Sequence, residues 1–228
     1  MVEPNTAWAV LSVIGGSIVG AVISTIVSFS IQKRNLDAAK AHRDEDRLAV
    51  RKAQGYSLLF KMIKLASSVH NMKAALHGCF DTAKKLGHEW EPWQIVQPIV
   101  PPADRIHFSA EEMALLLSIN DKVFNEIAAL DNMHNSLASL FDLYGEMRQK
   151  VLERFGGEVI GTTVSAALTR EQYNWLAPRA LELNGLIAEL QAQSDEDSKI
   201  SWEALVILRD ALETGLGIKH RIEQKRPG

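Results

Sequence analysis

The sequence predicts an all-α protein, with a single N-terminal transmembrane helix followed by a long-helix bundle or coiled-coil-like domain. Three observations predict it. An uncharged apolar run lies near the N-terminus, apolar seams of helical period fill the remainder, and two Ser/Thr-x-x-Glu/Gln capping signals each precede such a seam.

The apolar run is Ala7 to Ile31, which contains no Asp, Glu, Lys, Arg, His, Asn, Gln or Pro. As an α-helix it would extend roughly 37 Å, enough to cross a hydrocarbon core of ~30 Å with some tilt. Ser12, Gly16, Gly20, Ser24 and Ser28 recur every fourth residue and share one face. In lipid, burial of apolar surface gives helices little drive to associate. A small-residue face lets two backbones approach and gain dispersion contacts, typically in a right-handed crossing near about −40°. These five residues are the expected self-association face, and the lipid bilayer and a second copy of the chain are expected partners.

Orientation follows from Lys and Arg counts beside the span. Residues 1–6 carry neither, whereas Lys33, Arg34, Lys40, Arg43, Arg47 and Arg51 follow it. The positive-inside rule then places 1–6 as a short external N-terminus and the C-terminal side in the cytoplasm of a cell whose inner (plasma) membrane holds the span. Lys33 and Arg34 are the membrane-proximal basic residues, positioned for anionic headgroups. A cleaved signal peptide ending at Ser28-Phe29-Ser30 fits less well. It would need a basic n-region, which is missing, and an apolar run of only ~7–15 residues.

Residues 32–55 read as a charged helical stalk, rich in helix formers and laced with Asp/Lys/Arg pairs at i,i+3 and i,i+4. Gly55 either kinks the junction or is tolerated within it. From 56 to 228 a cytoplasmic helical bundle is expected. Leu58, Met62, Leu65, Val69, Met72 and Leu76 open its first seam, which Gly87 ends. Ser109-Ala-Glu-Glu112 caps a second helix drawn as continuous to about Phe155, with Leu116, Val123, Ile127, Leu130, Leu137, Tyr144 and Val151 on its buried face. Thr169-Arg-Glu-Gln172 caps a third, through Leu183, Ile187 and Leu190, with Pro178 inside the pattern. The polar run 193–198 reads as a turn or a further helix start before a last helix marked by Leu205, Leu208, Leu212 and Leu216. Val159-Ile160 is too short and isolated to predict a strand.

The loop 88–108 breaks the helical pattern, because Pro92, Pro98, Pro101 and Pro102 forbid a continuous helix. It is unusually apolar for its length. Trp90, Trp93, Ile95 and Ile99 either strap across the bundle or form a docking segment for an unidentified protein partner.

The net charge of −3 gives no reason to expect nucleic acid. Cys79 is the only cysteine, which rules out an internal disulfide framework. The glycine-rich stretch 156–163 lacks the lysine of a phosphate loop and reads as a helix-to-helix turn. His70, His77 and Asp81, or Asp131 and His134, fall short of the Glu and Glu-x-x-His set that a dimetal bundle uses. No catalytic motif is present, so no enzyme activity, cofactor or metal is expected. Function is expected through self-association, by span and bundle, and through partner binding, as a scaffold or membrane-complex subunit. The alternative is a membrane-perturbing phage lysis or defence effector, holin-like or spanin-like.

Overall fold

The computed structural model describes residues 4–87, 90–98, 105–155, 158–160, 163–165 and 168–221; the side chains of 4–27 and of 158–165 lie outside that description. The elements are helix α1 (Pro4–Lys85), α2 (Pro92–Ile95), α3 (Ala110–Ile119), α4 (Asp121–Arg154), strands β1 (Glu158–Ile160) and β2 (Thr163–Ser165), and α5 (Arg170–Leu216). Among the described residues the fold is all-α apart from this one hairpin. Two compact units divide the chain, Met1–Arg51 and Lys52–Gly228.

In the first unit the backbone is helical from Pro4 onward, through the apolar run 7–31. Among the described residues no helix is long and apolar enough to cross a membrane. The predicted span falls on residues whose side chains are described only from Ser28, so Ser12, Gly16, Gly20 and Ser24 lie outside the described side chains. Residues 28–51 are exposed without exception. Their helix is therefore held by intrinsic propensity and local pairs, not by a core.

The second unit is a bundle of three long rods: α1 from Lys52, α3 continued by α4, and α5. Gly55 lies against Leu212, Leu216 and Ile218, while His77 meets Asp195, so α1 and α5 are antiparallel. Ser57 meets Glu112 and Ser68 meets His134, so α1 runs parallel to α3 and α4. Parallel neighbours cannot be joined by a tight turn. The described parts of the connection lie against α5 and α4 at Trp93 and Val96, and against α4 and α1 at Arg105 and His107.

The expected seams form one core. Leu58, Met62 and Leu65 of α1, Ile127, Leu130 and Leu137 of α4, and Leu183, Ile187 and Leu208 of α5 are all essentially inaccessible. Four details depart from the sequence reading. The helix drawn from Ser109 to Phe155 breaks at Asn120, which is extended (φ −160°) and whose side chain accepts from the N–H groups of Lys122 and Val123. Asn120 is thus an N-cap that starts α4 afresh. Conversely, neither the turn nor the fresh helix start read at 193–198 is present, and α5 runs unbroken through it and through Pro178. Polar residues alone do not end a helix. Between α4 and α5, β1 pairs with β2 antiparallel, Val159 opposite Val164, where only a turn was expected.

The fourth is Gly55, which lies inside the unbroken α1 and is a point of close contact. A β-carbon there would lie 2.7 Å from Ile218 Cδ1 and 3.1 Å from a Leu216 methyl. At the same end a β-carbon on Gly215 would lie 2.8 Å from Ile119 Cγ2. These two glycines let three rods converge. Gly217 (φ +66°) then turns the chain out of α5, with Ile218 N–H returning to Leu212 O and the Ile218 side chain buried.

Candidate functional site

The apolar loop is the feature that sequence reasoning singled out in the bundle, and the structure shows how its described part is held. Pro92–Ile95 forms the single turn of α2, placed over α4 and α5. Asn184 on α5 accepts from Trp93 N–H through Oδ1 (3.0 Å) and donates from Nδ2 to Glu91 Oε2 (3.1 Å). Trp93 Nε1 donates to the same carboxylate at 3.1 Å. From α4, Tyr144 Oη donates to Val96 O at 2.6 Å, and Arg148 Nε donates to Trp93 O at 3.1 Å. These bonds satisfy the backbone groups of Trp93 and Val96, whose side chains are buried.

The predicted docking residues divide accordingly. Trp93 is 9% exposed and packs into the core with Val96, Ile95 is half-buried, and Trp90 is 37% exposed. Ile99 lies outside the described residues. Lys33, Arg34 and Ser28 are exposed on α1.

Further along, Arg105 ties the returning chain to α4. It donates to Asn135 O (3.0 Å), Ser139 Oγ (2.8 Å) and Asp142 Oδ2 (3.0 Å). Lys61 of α1 then meets both His107 O (3.0 Å) and the buried carboxylate of Glu112 (2.7 Å). Glu112 also accepts from Ser57 Oγ and from Ser109 N–H, completing the capping box. Burial pushes the Glu112 carboxyl up, but the bonds from Lys61, Ser57 and Ser109 outweigh it and hold it below the usual carboxylate range.

Three of the titratable residues weighed as ligands, His77, His134 and Asp131, are held by other contacts. His77 and Lys73 of α1 converge on Asp195 of α5, at 3.0 and 2.9 Å, and those contacts lower the Asp195 pKa. His134 is buried, with Nε2 3.2 Å from Ser68 Oγ, and burial lowers its pKa. Asp131 lies 3.7 Å from His107. Among the described residues no group of three or more His, Cys, Asp or Glu could hold a metal ion.

Two features were not legible beforehand. At the far end of α4, Trp175 of α5 has the Arg179 guanidinium 3.9 Å and the Arg154 guanidinium 4.3 Å from its ring, with Phe155 edge-on at 5.3 Å. These contacts join the first turns of α5 to the last turn of α4. The other is Asp197, which is 2% exposed on the core side of α5 with Oδ2 lacking any hydrogen-bond partner. Burial pushes its carboxyl up to about 6; a Gln193 hydrogen bond opposes the rise and the charge of Glu196 adds to it. The signal for it was spacing, since Leu190, Ser194, Asp197 and Ser201 continue the steps of four and three of the apolar seam.

No protein-family model matches this chain, and neither curated proteins nor solved structures give a match to it.

Proposed function

We propose that the chain is a single-pass membrane-anchored helical scaffold or membrane-complex subunit. It would act by self-association through its anchor and bundle and by binding a protein partner, with the bundle on the cytoplasmic side. The observation that carries this reading is the uncharged stretch Ala7–Ile31, followed at once by Lys33, Arg34 and further basic residues. Its small-residue stripe, Ser12, Gly16, Gly20, Ser24 and Ser28, supports association in the bilayer. The bundle supports the role too. Its polar groups are largely spent on holding helices and strap in place, as Asn184, Arg148, Arg105 and Lys61 illustrate. Trp90, at the exposed edge of the strap, is the residue best placed for a partner to touch.

A topology reporter tests the reading. Alkaline phosphatase fused after Gly228 should be inactive in a bacterial host, and a fluorescent protein at the same position should glow. An active phosphatase fusion would reverse the orientation. Recovery of the fluorescent fusion in the soluble fraction would remove the anchor.

A further inference from the structure

The core-facing stripe of α5 carries Ile187 and Leu190 before its middle and Leu205 and Leu208 after it, all buried. Between them the stripe is polar. Ser194 and Ser201 are fully inaccessible and Asp197 is 2% exposed. Both serines give their protons to their own helix, Ser194 Oγ to Gln191 O at 3.1 Å and Ser201 Oγ to Ser198 O at 3.3 Å. They keep acceptor lone pairs but have no second proton to offer Asp197.

Charged groups from the neighbouring rods are committed elsewhere. From α1, Lys73 and His77 turn to Asp195, two residues before Asp197. From α4, His134 turns to Ser68, and Asp131 lies beside His107 and Asn135. On α5 itself Gln193 supplies one hydrogen bond and Glu196 adds a second negative charge. Oδ2 has no partner at all. An ionised carboxylate in this position carries a desolvation cost that the single Gln193 hydrogen bond offsets only in part. A neutral carboxyl carries far less of that cost.

We propose that the Ser194–Asp197–Ser201 step is a proton-sensitive latch. The middle of α5 packs firmly against α1 and α4 when Asp197 is neutral and loosens when it is ionised.

The direction of the effect follows from linkage. An acid whose folded-state pKa, about 6, exceeds its unfolded value of 3.8 binds its proton more tightly in the folded chain. The stability this contributes is present at low pH and is lost as pH rises through about 6. Hydrogen exchange on the full-length chain in non-ionic detergent tests the latch, with rates corrected for the intrinsic pH dependence. Peptides covering 190–204 should exchange about tenfold more slowly at pH 5.0 than at pH 7.5, one decade corresponding to about one pH unit below the folded pKa. In Asp197→Asn the same peptides should be protected at both pH values, and Asp197→Ser should likewise lose the pH dependence. Asp195→Asn, a change in the exposed neighbour, should keep it. A tenfold change persisting in the Asp197 variants would assign the effect to another group and overturn the proposal. A wild-type chain with equal protection at both pH values would overturn it as well.

Discussion

The two ends of the bundle are closed by opposite means. Near Gly55 and Gly215 the rods converge until backbone meets side chain, with β-carbon positions under 3 Å from Ile218 and Ile119. Near Trp93 the rods are spanned by a segment from outside them, fastened by Asn184, Tyr144 and Arg148. The first end depends on the absence of side chains, and the second on the presence of large ones. A single chemistry of burial therefore produces two different vulnerabilities: overpacking at one end and cavity formation at the other.

The largest effect is expected at the strap end. Trp93→Ala should cost about 3 kcal/mol, through lost burial and the cavity beneath α2. Thermal melting measures that loss, and limited proteolysis should show new cleavage between Gly87 and Ser109. A variant that melts like the wild type would mean that the polar ties alone hold the strap, and the contrast between the ends would fall. Next comes Gly55→Val. Its branched side chain must displace Ile218 and Leu216, so a loss of about 2 kcal/mol is expected in chemical denaturation, despite valine's better helix propensity. A neutral or stabilising result would show that Ile218 simply moves aside.

The smallest effect sharpens the comparison through pH. Glu112 binds Ser57 and Lys61, within two turns of Gly55, so it belongs to the glycine end. Its folded-state pKa is depressed below the ordinary value of 4.5. The stability it adds is present above that value and is lost as pH falls through the folded pKa. Glu112→Gln should cost about 1 kcal/mol at pH 7, and the difference from wild type should shrink progressively in melts below pH 4.5. At the strap end, burial raises the Tyr144 hydroxyl, which stays protonated throughout that range. Acid should therefore loosen the glycine end and leave the bond to Val96 intact. A Glu112→Gln deficit that persists unchanged in acid would show that the carboxylate's charge is not what matters.

Much of this architecture was legible in the residues. Periodicity located the seams of α1, α4 and α5, because a helix that buries one stripe must repeat its apolar residues at that pitch, and the capping boxes at Ser109 and Thr169 start α3 and α5 as read. The misreadings have physical causes. Asn120 followed by Asp121 is a cap signal hidden within a run of apolar residues that looked continuous. The run 193–198 looked like a turn or a fresh helix start because it is polar, yet no Gly or Pro lies between Gly185 and Gly215 to stop the helix. Gly55 looked like a possible kink, and its role as a point of contact depends on Ile218, far away in sequence. The strap ties were invisible for the same reason: Asn184 and Arg148 become partners of Trp93 only once the chain has returned along the bundle.

The turn at Gly217 has a consequence for where the chain can be shortened. Ile218 lies just past the last residue of α5, and its methyl group is the atom nearest to the position a β-carbon would take on Gly55. The final closure of the bundle is thus made by a residue outside every helix. A stop codon after His220 leaves that plug in place, whereas one after Gly217 deletes it and opens the Gly55 notch to water. Among the described residues, the last one buried on this side is Ile218, beyond the helix end at Leu216.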